Sequence, residues 1–276
     1  MTKTKSRKVR DGEGISIIVP FHCPADKKNQ RAKNWRWLRK YWECTLPEAQ
    51  IIMGRDKRAN NQVPFSKSAA INDACRRATG DVFVIVDADG FVPAASILLC
   101  AEKIRRARKR GHRLWFVPYR RFYRLTEAAS QKLLKSNPCH PYKFPSPPSD
   151  KDIQNSEGSQ FGHWWGAGIQ IVPREAFEEV GGWDERFRGW GGEDHAAMEA
   201  TDTLYWPHKT LPGQFLHVWH PMFNPTSETK EWVEWSYRVW AGQTKAGAND
   251  KLSARYYGAN GLRKRMRKLV DEGHLK

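Results

Sequence analysis

The sequence lacks the long apolar run that a membrane crossing needs: no stretch approaches the roughly 18 consecutive apolar residues that span a bilayer. Its basic opening, "KTKSRKVR", has no apolar segment behind it, which excludes a secretory signal of the usual form. Cysteine is sparse. Cys23, Cys44, Cys75, Cys100 and Cys139 are widely spaced, with no CxxC pair. That argues against a zinc knuckle and against a disulfide framework, and points to a reducing compartment and a cytoplasmic protein. Acid is short as well. Thirty Asp and Glu face 47 Lys and Arg, a net charge of +17, and no internal repeat is visible.

What is present narrows the class. At 276 residues with 39% hydrophobic content, the chain can build one large α/β core with a small appendage. The basic residues cluster in "KIRRARKRGHR", "YRRFYR" and "LRKRMRK", a pattern that suits an anionic partner as well as a plain solvated face. Thirteen Trp are many for a buried core, so several are expected to line a ligand cleft.

The first half alternates. "GISIIVPF" is a short β-branched run, and "KNWRWLRKYWEC" sets Trp35, Leu38 and Trp42 at helical spacing. "AQIIMG" is a second strand. "SKSAAINDACRRATG" is a Ser-capped helix stopped by Gly80, and "DVFVIVDADG" is a third strand ending in two carboxylates. Strand, helix, strand, helix, strand implies parallel βαβ units, whose ligands bind beyond the C-terminal strand ends. The residues after Pro20, Asp56 in "GRD", and Asp87 with Asp89 all fall at that edge. Residues 93–110 read as a basic helix, "RLWFVPY" as a strand, 136–165 as a long aperiodic loop, and "QFLHVWHP" as a last strand with His217 and His220.

Asp87 and Asp89, one residue apart where a strand turns, can approach one cation. Hard oxygen donors suit Mg²⁺ or Mn²⁺, and the imidazoles of His217 and His220 shift the preference towards Mn²⁺. A pair of strand-end caps and two core histidines are the plainer alternatives. Glu193 and Asp194 follow Gly189, Trp190, Gly191 and Gly192. The glycines let a ligand approach the backbone, Trp190 offers a flat face to a sugar ring, and a carboxylate held ionised at a helix start is suited to general-base work. Stabilisation of the helix macrodipole alone would also explain the two acids.

These stretches together resemble a known family. "SKSAAINDACRRATGDVFVIVDADG" is similar to the segment leading into the DxD motif of GT-A glycosyltransferases. "GAGIQIVPREAFEEVGGWDERFRGWGGEDHAAM" resembles the acceptor-side signature of β-1,4-galactosyltransferases and polypeptide GalNAc-transferases, and "HVWHP" their late metal-ligand histidine segment. The resemblance spans roughly residues 14–222. It implies an α/β, GT-A type nucleotide-binding fold with a mostly parallel central sheet flanked by helices. The division is a basic tail over 1–13, a catalytic domain over 14–223 and a helical, basic extension over 224–276.

The resemblance also implies roles. Pro20, Phe21 and His22 hold the uridine, Asp56 the base or ribose, and Lys67 and Asn72 stand near the nucleotide. Asp87, with Ala88 beside it, touches the ribose or the metal's waters, and Asp89 binds Mn²⁺ or Mg²⁺ together with His217 or His220. Trp165 and Gly166 lie beneath the sugars with Trp190, Gly191 and Gly192. Glu193 bonds a sugar and Asp194 is the base of an inverting transfer. His195 departs from the acidic continuation common in galactosyltransferases, and the absence of an anchor suits a bacterial or phage cytosolic enzyme, in the host cytoplasm if phage-encoded. The partners implied are a nucleotide-sugar donor and an acceptor glycan or protein. The basic clusters beside Trp115, Tyr119, Phe122 and Tyr123 raise an alternative acceptor, a modified base in nucleic acid. A non-catalytic nucleic-acid or surface-binding protein is the remaining alternative.

Overall fold

The computed structural model describes residues 12–22, 29–59, 63–157, 167–189 and 193–221. The elements run β1 (Ile15–Pro20), α1 (Gln30–Thr45), β2 (Gln50–Gly54), α2 (Lys67–Arg77), β3 (Val82–Val86), β4 (Gly90–Phe91), α3 (Ala94–Lys109), β5 (Phe116–Val117) and β6 (Arg121–Leu125). They continue with α4 (Glu127–Lys135), β7 (Ile153–Glu157), β8 (Ile169–Pro173), α5 (Arg174–Val180), α6 (Glu193–Leu204), β9 (Lys209–Thr210) and β10 (Gln214–His217).

The central sheet has the order β2-β1-β3-β8-β5-β9. Strands β1, β2 and β3 are parallel, as the βαβ pattern requires, so their C-terminal ends share one edge. Strand β8 is antiparallel to both β3 and β5. β1 and β3 are buried at every position, which is why "ISIIVP" and "VFVIV" carry no polar alternation. Helix α2 starts where the Ser66 hydroxyl accepts the Ala69 amide at 3.2 Å. It lies so close to β2 that a Cβ on Gly54 would stand 1.8 Å from the Ala70 carbonyl.

A second sheet, β4-β10-β6-β7, sits beside the first. Phe215 of β10 is fully buried, and its ring occupies the space a side chain would need at Gly90 or Gly168. That close fit seats β10 against β4, with His217 paired across from Gly90. The Val218 amide then donates to the Asp89 carbonyl at 2.6 Å.

Four expectations change. The segment 136–165 is not structureless throughout: β7 pairs with β6 through its backbone, and its sequence, "IQNSE", has no hydrophobic alternation to betray it. "RLWFVPY" supplies only the two-residue β5. Trp35, Trp37, Trp42, Trp115 and Trp183 are buried in the core. Three of them sit on α1, where their bulk fills the layer between helix and sheet. Cys44 and Cys139 form a disulfide that joins the end of α1 to the stretch after α4, across 95 residues of sequence. Spacing along the chain could not show that these two Cα atoms lie 5.2 Å apart. The expectation of a chain without disulfides is therefore overturned, and the argument for a reducing compartment loses its basis. No helix among the described residues is long and apolar enough to cross a membrane.

Candidate functional site

The site forms where β1 and β3 end, and the DxD turn divides it in two. At this turn Asp87 and Asp89 have different side-chain partners.

Asp89 faces His217 and His220. Its Oδ1 is 3.5 Å from His217 Nε2 and its Oδ2 is 3.2 Å from His220 Nε2. One ligand atom from each residue lies within 4.8 Å of the others. His220 lies beyond β10 rather than in it, and its Nδ1 is 2.8 Å from the Pro221 carbonyl, leaving Nε2 to face the cluster. Burial works against the Asp89 charge, but His217, His220 and Arg31 outweigh it and hold the carboxyl well below the usual range. Burial pushes His217 down to about 4, with His220, Arg124 and Arg31 adding to the effect against the pull of Asp89. An ionised carboxylate beside a neutral imidazole is the protonation state that metal ligation requires. One oxygen and two nitrogen donors fit a divalent cation of the Mn²⁺ type.

Asp87 turns the other way. Lys67, the first residue of α2, reaches Asp87 Oδ1 at 2.8 Å and both Asp194 oxygens at 2.7 and 2.9 Å, with Glu193 Oε1 at 3.6 Å. Glu193 and Asp194 open α6, and Gln170 of β8 donates to the Asp194 carbonyl at 3.1 Å. The Lys67 ammonium also stands 5.8 Å from the centre of the Trp183 ring. Three carboxylates thus surround one cation. Burial raises the Asp194 carboxyl well above the usual range, and Glu193 and Asp87 add to it, while Lys67 opposes them. Asp87 is raised for the same first cause. The carboxylates keep Lys67 firmly protonated despite its burial. A position at a helix start therefore does not by itself keep Asp194 charged; the contact with Lys67 is what favours the anion.

Two of the expected nucleotide ligands are engaged elsewhere. The Asp56 side chain is 1% exposed. It accepts from the Ser66 amide at 3.0 Å, the Arg58 amide at 3.1 Å and Arg188 Nη1 at 3.1 Å. Burial is outweighed by these donors, which hold its carboxyl below the usual range. Asn72 is buried too. Its amide donates to the Trp183 carbonyl at 2.8 Å and to Glu185 at 3.0 Å, and accepts from the Trp183 amide at 2.9 Å. Arg188 further donates to the Pro64 carbonyl at 3.0 Å, and the Gly189 amide to the Phe65 carbonyl at 3.0 Å. Asp56 and Asn72 thus tie the 183–189 segment, which leads into Glu193 and Asp194, to α2 and the loop before it.

Pro20 ends β1, and Phe21 and His22 follow it at the shared strand edge. His22 stacks on Phe65, ring centres 5.2 Å apart. Ala88 packs partly against the core between the two aspartates. Trp165, Gly166, Trp190, Gly191 and Gly192 lie outside the described residues. Sequence reading missed Phe65, Arg31 and Arg188. Phe65 is a lone aromatic at the end of a polar loop, a weak signal that was present. The two arginines were hidden among 47 cationic residues.

Among the described residues, the aromatics beside the basic stretches form no base-stacking surface. Trp115, Tyr119, Phe122 and Tyr123 are all buried. Arg105 and Arg108 are spent on Asp81, at 2.7 and 2.6 Å. A nucleic-acid acceptor loses the aromatic platform that suggested it.

Comparison with known proteins bears on the class of enzyme. Residues 59–164 match the model of glycosyl transferase family 2, and residues 157–201 match that of the N-terminal domain of galactosyltransferase. No curated protein matches the chain. Among solved structures, the catalytic domain of Drosophila β1,4-galactosyltransferase 7 in complex with xylobiose shares 14% identity, covering 86% of this chain and 82% of that one, at a TM-score of 0.41. A mutant of that enzyme with manganese, UDP-Gal and xylobiose shares 13% over 79% and 78%, at 0.38. GalNAc-T7 with UDP, GalNAc and Mn²⁺ shares 14% over 94% and 56%, at 0.45. The two family models follow one another across α2, the DxD turn and the Glu193–Asp194 helix start, on a mixed α/β sheet flanked by helices. These matches to two glycosyltransferase models support an enzyme that transfers sugar.

Proposed function

We propose that the protein moves a hexose or N-acetylhexosamine from a UDP-sugar to a hydroxyl of a glycan or protein acceptor, inverting the anomeric centre, with Asp194 as general base. The observation that carries this reading is the division at Ala88: a donor set for a divalent cation on one side, and a carboxylate cluster that includes a helix-start aspartate on the other. Uridine rests on the sequence resemblance. The catalytic unit on this reading is 14–223, with the basic residues 224–276 as an extension.

Asp89, His217 and His220 would hold Mn²⁺, with Mg²⁺ the second choice. Such an ion, when bound, supplies a Lewis acid for the diphosphate oxygens. Pro20, Phe21, His22 and the adjoining Phe65 line the strand edge where the nucleotide lies. Asp87 orients the ribose. The resemblance assigns Trp165, Gly166, Trp190, Gly191 and Gly192 to the sugars, and Glu193 bonds a sugar hydroxyl. In the transfer, an Asp194 oxygen takes the proton of the acceptor hydroxyl as that oxygen bonds to the anomeric carbon. The bond from that carbon to the diphosphate breaks, and its electron pair leaves with the nucleotide. Lys67 favours the Asp194 anion against the burial that raises its carboxyl.

The test is nucleotide release from a panel of UDP- and GDP-sugars, with Mn²⁺, Mg²⁺ or EDTA, for wild type and Asp194→Asn. Release from a UDP-sugar that needs the metal and falls in the variant is the expected result. Release from GDP-sugars alone, or release that survives Asp194→Asn in the presence of an acceptor, would overturn it.

A further inference from the structure

The outer face of α3 carries charge that the catalytic edge does not use. The inner face, Ile97, Cys100, Ala101 and Ile104, is buried. Leu99, Lys103, Arg106 and Arg110 recur at three- and four-residue spacing and form a stripe on the opposite side. The three cations of this stripe and Lys209 of β9 are exposed and rim a cleft of about 460 Å³. Leu114, Phe116 and Leu211 supply its apolar wall. Leu99 lies one turn before Lys103 and is 42% exposed, so it extends that apolar surface. Arg106 is paired with Glu102 at 2.6 Å, whereas the side chains of Lys103, Arg110 and Lys209 have no carboxylate partner among the described residues.

The cleft stands away from the DxD turn. Arg105, on the same helix, reaches Asp81 at 2.7 Å, and Asp81 immediately precedes β3. The end of α3 therefore lies at the end of β3 opposite to Asp87 and Asp89. Unpaired like charges on one face repel one another until an anionic partner neutralises them. The partner must also cover apolar surface. A hydrated polyanion such as nucleic acid would meet the cations but leave Leu99 in water, and Phe116 is too buried to stack on a base. An anionic bilayer meets both demands. Its headgroup phosphates pair with Lys and Arg, and its acyl boundary takes up an exposed apolar side chain.

We infer that the α3–β9 face docks on an anionic membrane surface, with a lipid headgroup phosphate seated among Lys103, Arg110 and Lys209 and with Leu99 inserted beside it. The contact is peripheral and does not depend on the donor and acceptor reading given above. It leaves the strand edge that carries Asp87 and Asp89 turned away from the lipid.

The experiment is co-sedimentation of the full chain with phosphatidylcholine vesicles, without and with about 30% phosphatidylglycerol. Wild type should bind the anionic vesicles at least about tenfold more tightly than the neutral ones. The triple variant Lys103→Glu, Arg110→Glu, Lys209→Glu should bind them about a hundredfold more weakly. A control triple, Arg36→Glu, Lys40→Glu, Lys135→Glu, makes the same change in net charge on exposed residues of α1 and α4, and should lose less than about fivefold. Leu99→Ser should cost about threefold to tenfold. If the charge-reversed triple folds poorly, Lys103→Gln, Arg110→Gln, Lys209→Gln serves in its place, with an expected loss of about tenfold. Equal losses in the two triple variants, or equal binding to neutral and anionic vesicles, would overturn the assignment. So would a cleft variant that loses double-stranded DNA as strongly as vesicles while Leu99→Ser loses neither, since the cleft would then take a nucleic acid.

Discussion

Asp87 and Asp89 are the same side chain, two positions apart on one turn, yet their carboxyls shift in opposite directions. Asp89 is outnumbered by His217, His220 and Arg31, and its carboxyl is pulled down. Asp87 shares one ammonium with Glu193 and Asp194, and burial, then Asp89 and Glu193, push its carboxyl up against the pull of Lys67. The first setting is an anion waiting for a cation. The second is a surplus of anions that one lysine holds together. The difference teaches that a DxD pattern specifies two positions at a strand end but not a common ligand. The neighbouring elements decide what each carboxylate does: β10 and the residues after it for Asp89, α2 and α6 for Asp87.

The sharpest way to break the comparison is to remove the base from the crowded half. Asp194→Asn should lower transfer about 10²- to 10⁴-fold while Mn²⁺ affinity stays near wild type, as kcat and a metal titration would show together. A smaller effect is expected at Lys67. In wild type, the acid limb of kcat/KM should lie above the ordinary aspartate range, because the Asp194 carboxyl is raised and activity is lost as pH falls through it. Lys67→Met removes the one cation, so that limb should move further up, by about one unit or more. The same variant should lose about 2 kcal/mol of stability at neutral pH, from three carboxylates left without a counter-charge. Sign follows from the raised folded-state values. Protonation favours the fold, so that loss should shrink as pH falls, and thermal melts across pH would reveal it.

The smallest effect should come from the tie that sets the crowded half in place. Arg188→Met cuts the link from Asp56 and Pro64 to the segment before Asp194. Transfer should fall by about tenfold or less, through misplacement of the base, while UDP affinity changes by less than about threefold. Hydrogen exchange at the Trp183 and Gly189 amides should speed up in the same variant. A large loss of nucleotide affinity with kcat intact would return Asp56 and its partners to the nucleotide.

Much of this was legible before the fold. β1, α1, β2, α2 and β3 follow from periodicity, from the Ser66 cap and from Gly80, and they place Asp87 and Asp89 at a parallel strand edge. Glu193 and Asp194 stood out because glycines precede them. The rest depended on contacts between distant segments. No local signal says that Asn72 holds Trp183, that Asp56 holds Arg188, or that Cys44 meets Cys139, since each pairing is made by packing across 95 to 132 residues. β7 has no hydrophobic face to read. Trp-rich α1 misled because indoles suit a cleft and a thick core layer equally well. The electrostatic division of the DxD turn was also invisible, since two identical residues acquire their difference from strands and helices far along the chain.

The measurement that tests that division most directly is a Mn²⁺ titration followed by electron paramagnetic resonance on Asp87→Asn and Asp89→Asn. Asp89→Asn should lose at least about tenfold in Mn²⁺ affinity, and Asp87→Asn should stay within about threefold of wild type. Equal losses, or a greater loss in Asp87→Asn, would mean that the two carboxylates share one cation and that the site is not divided at Ala88.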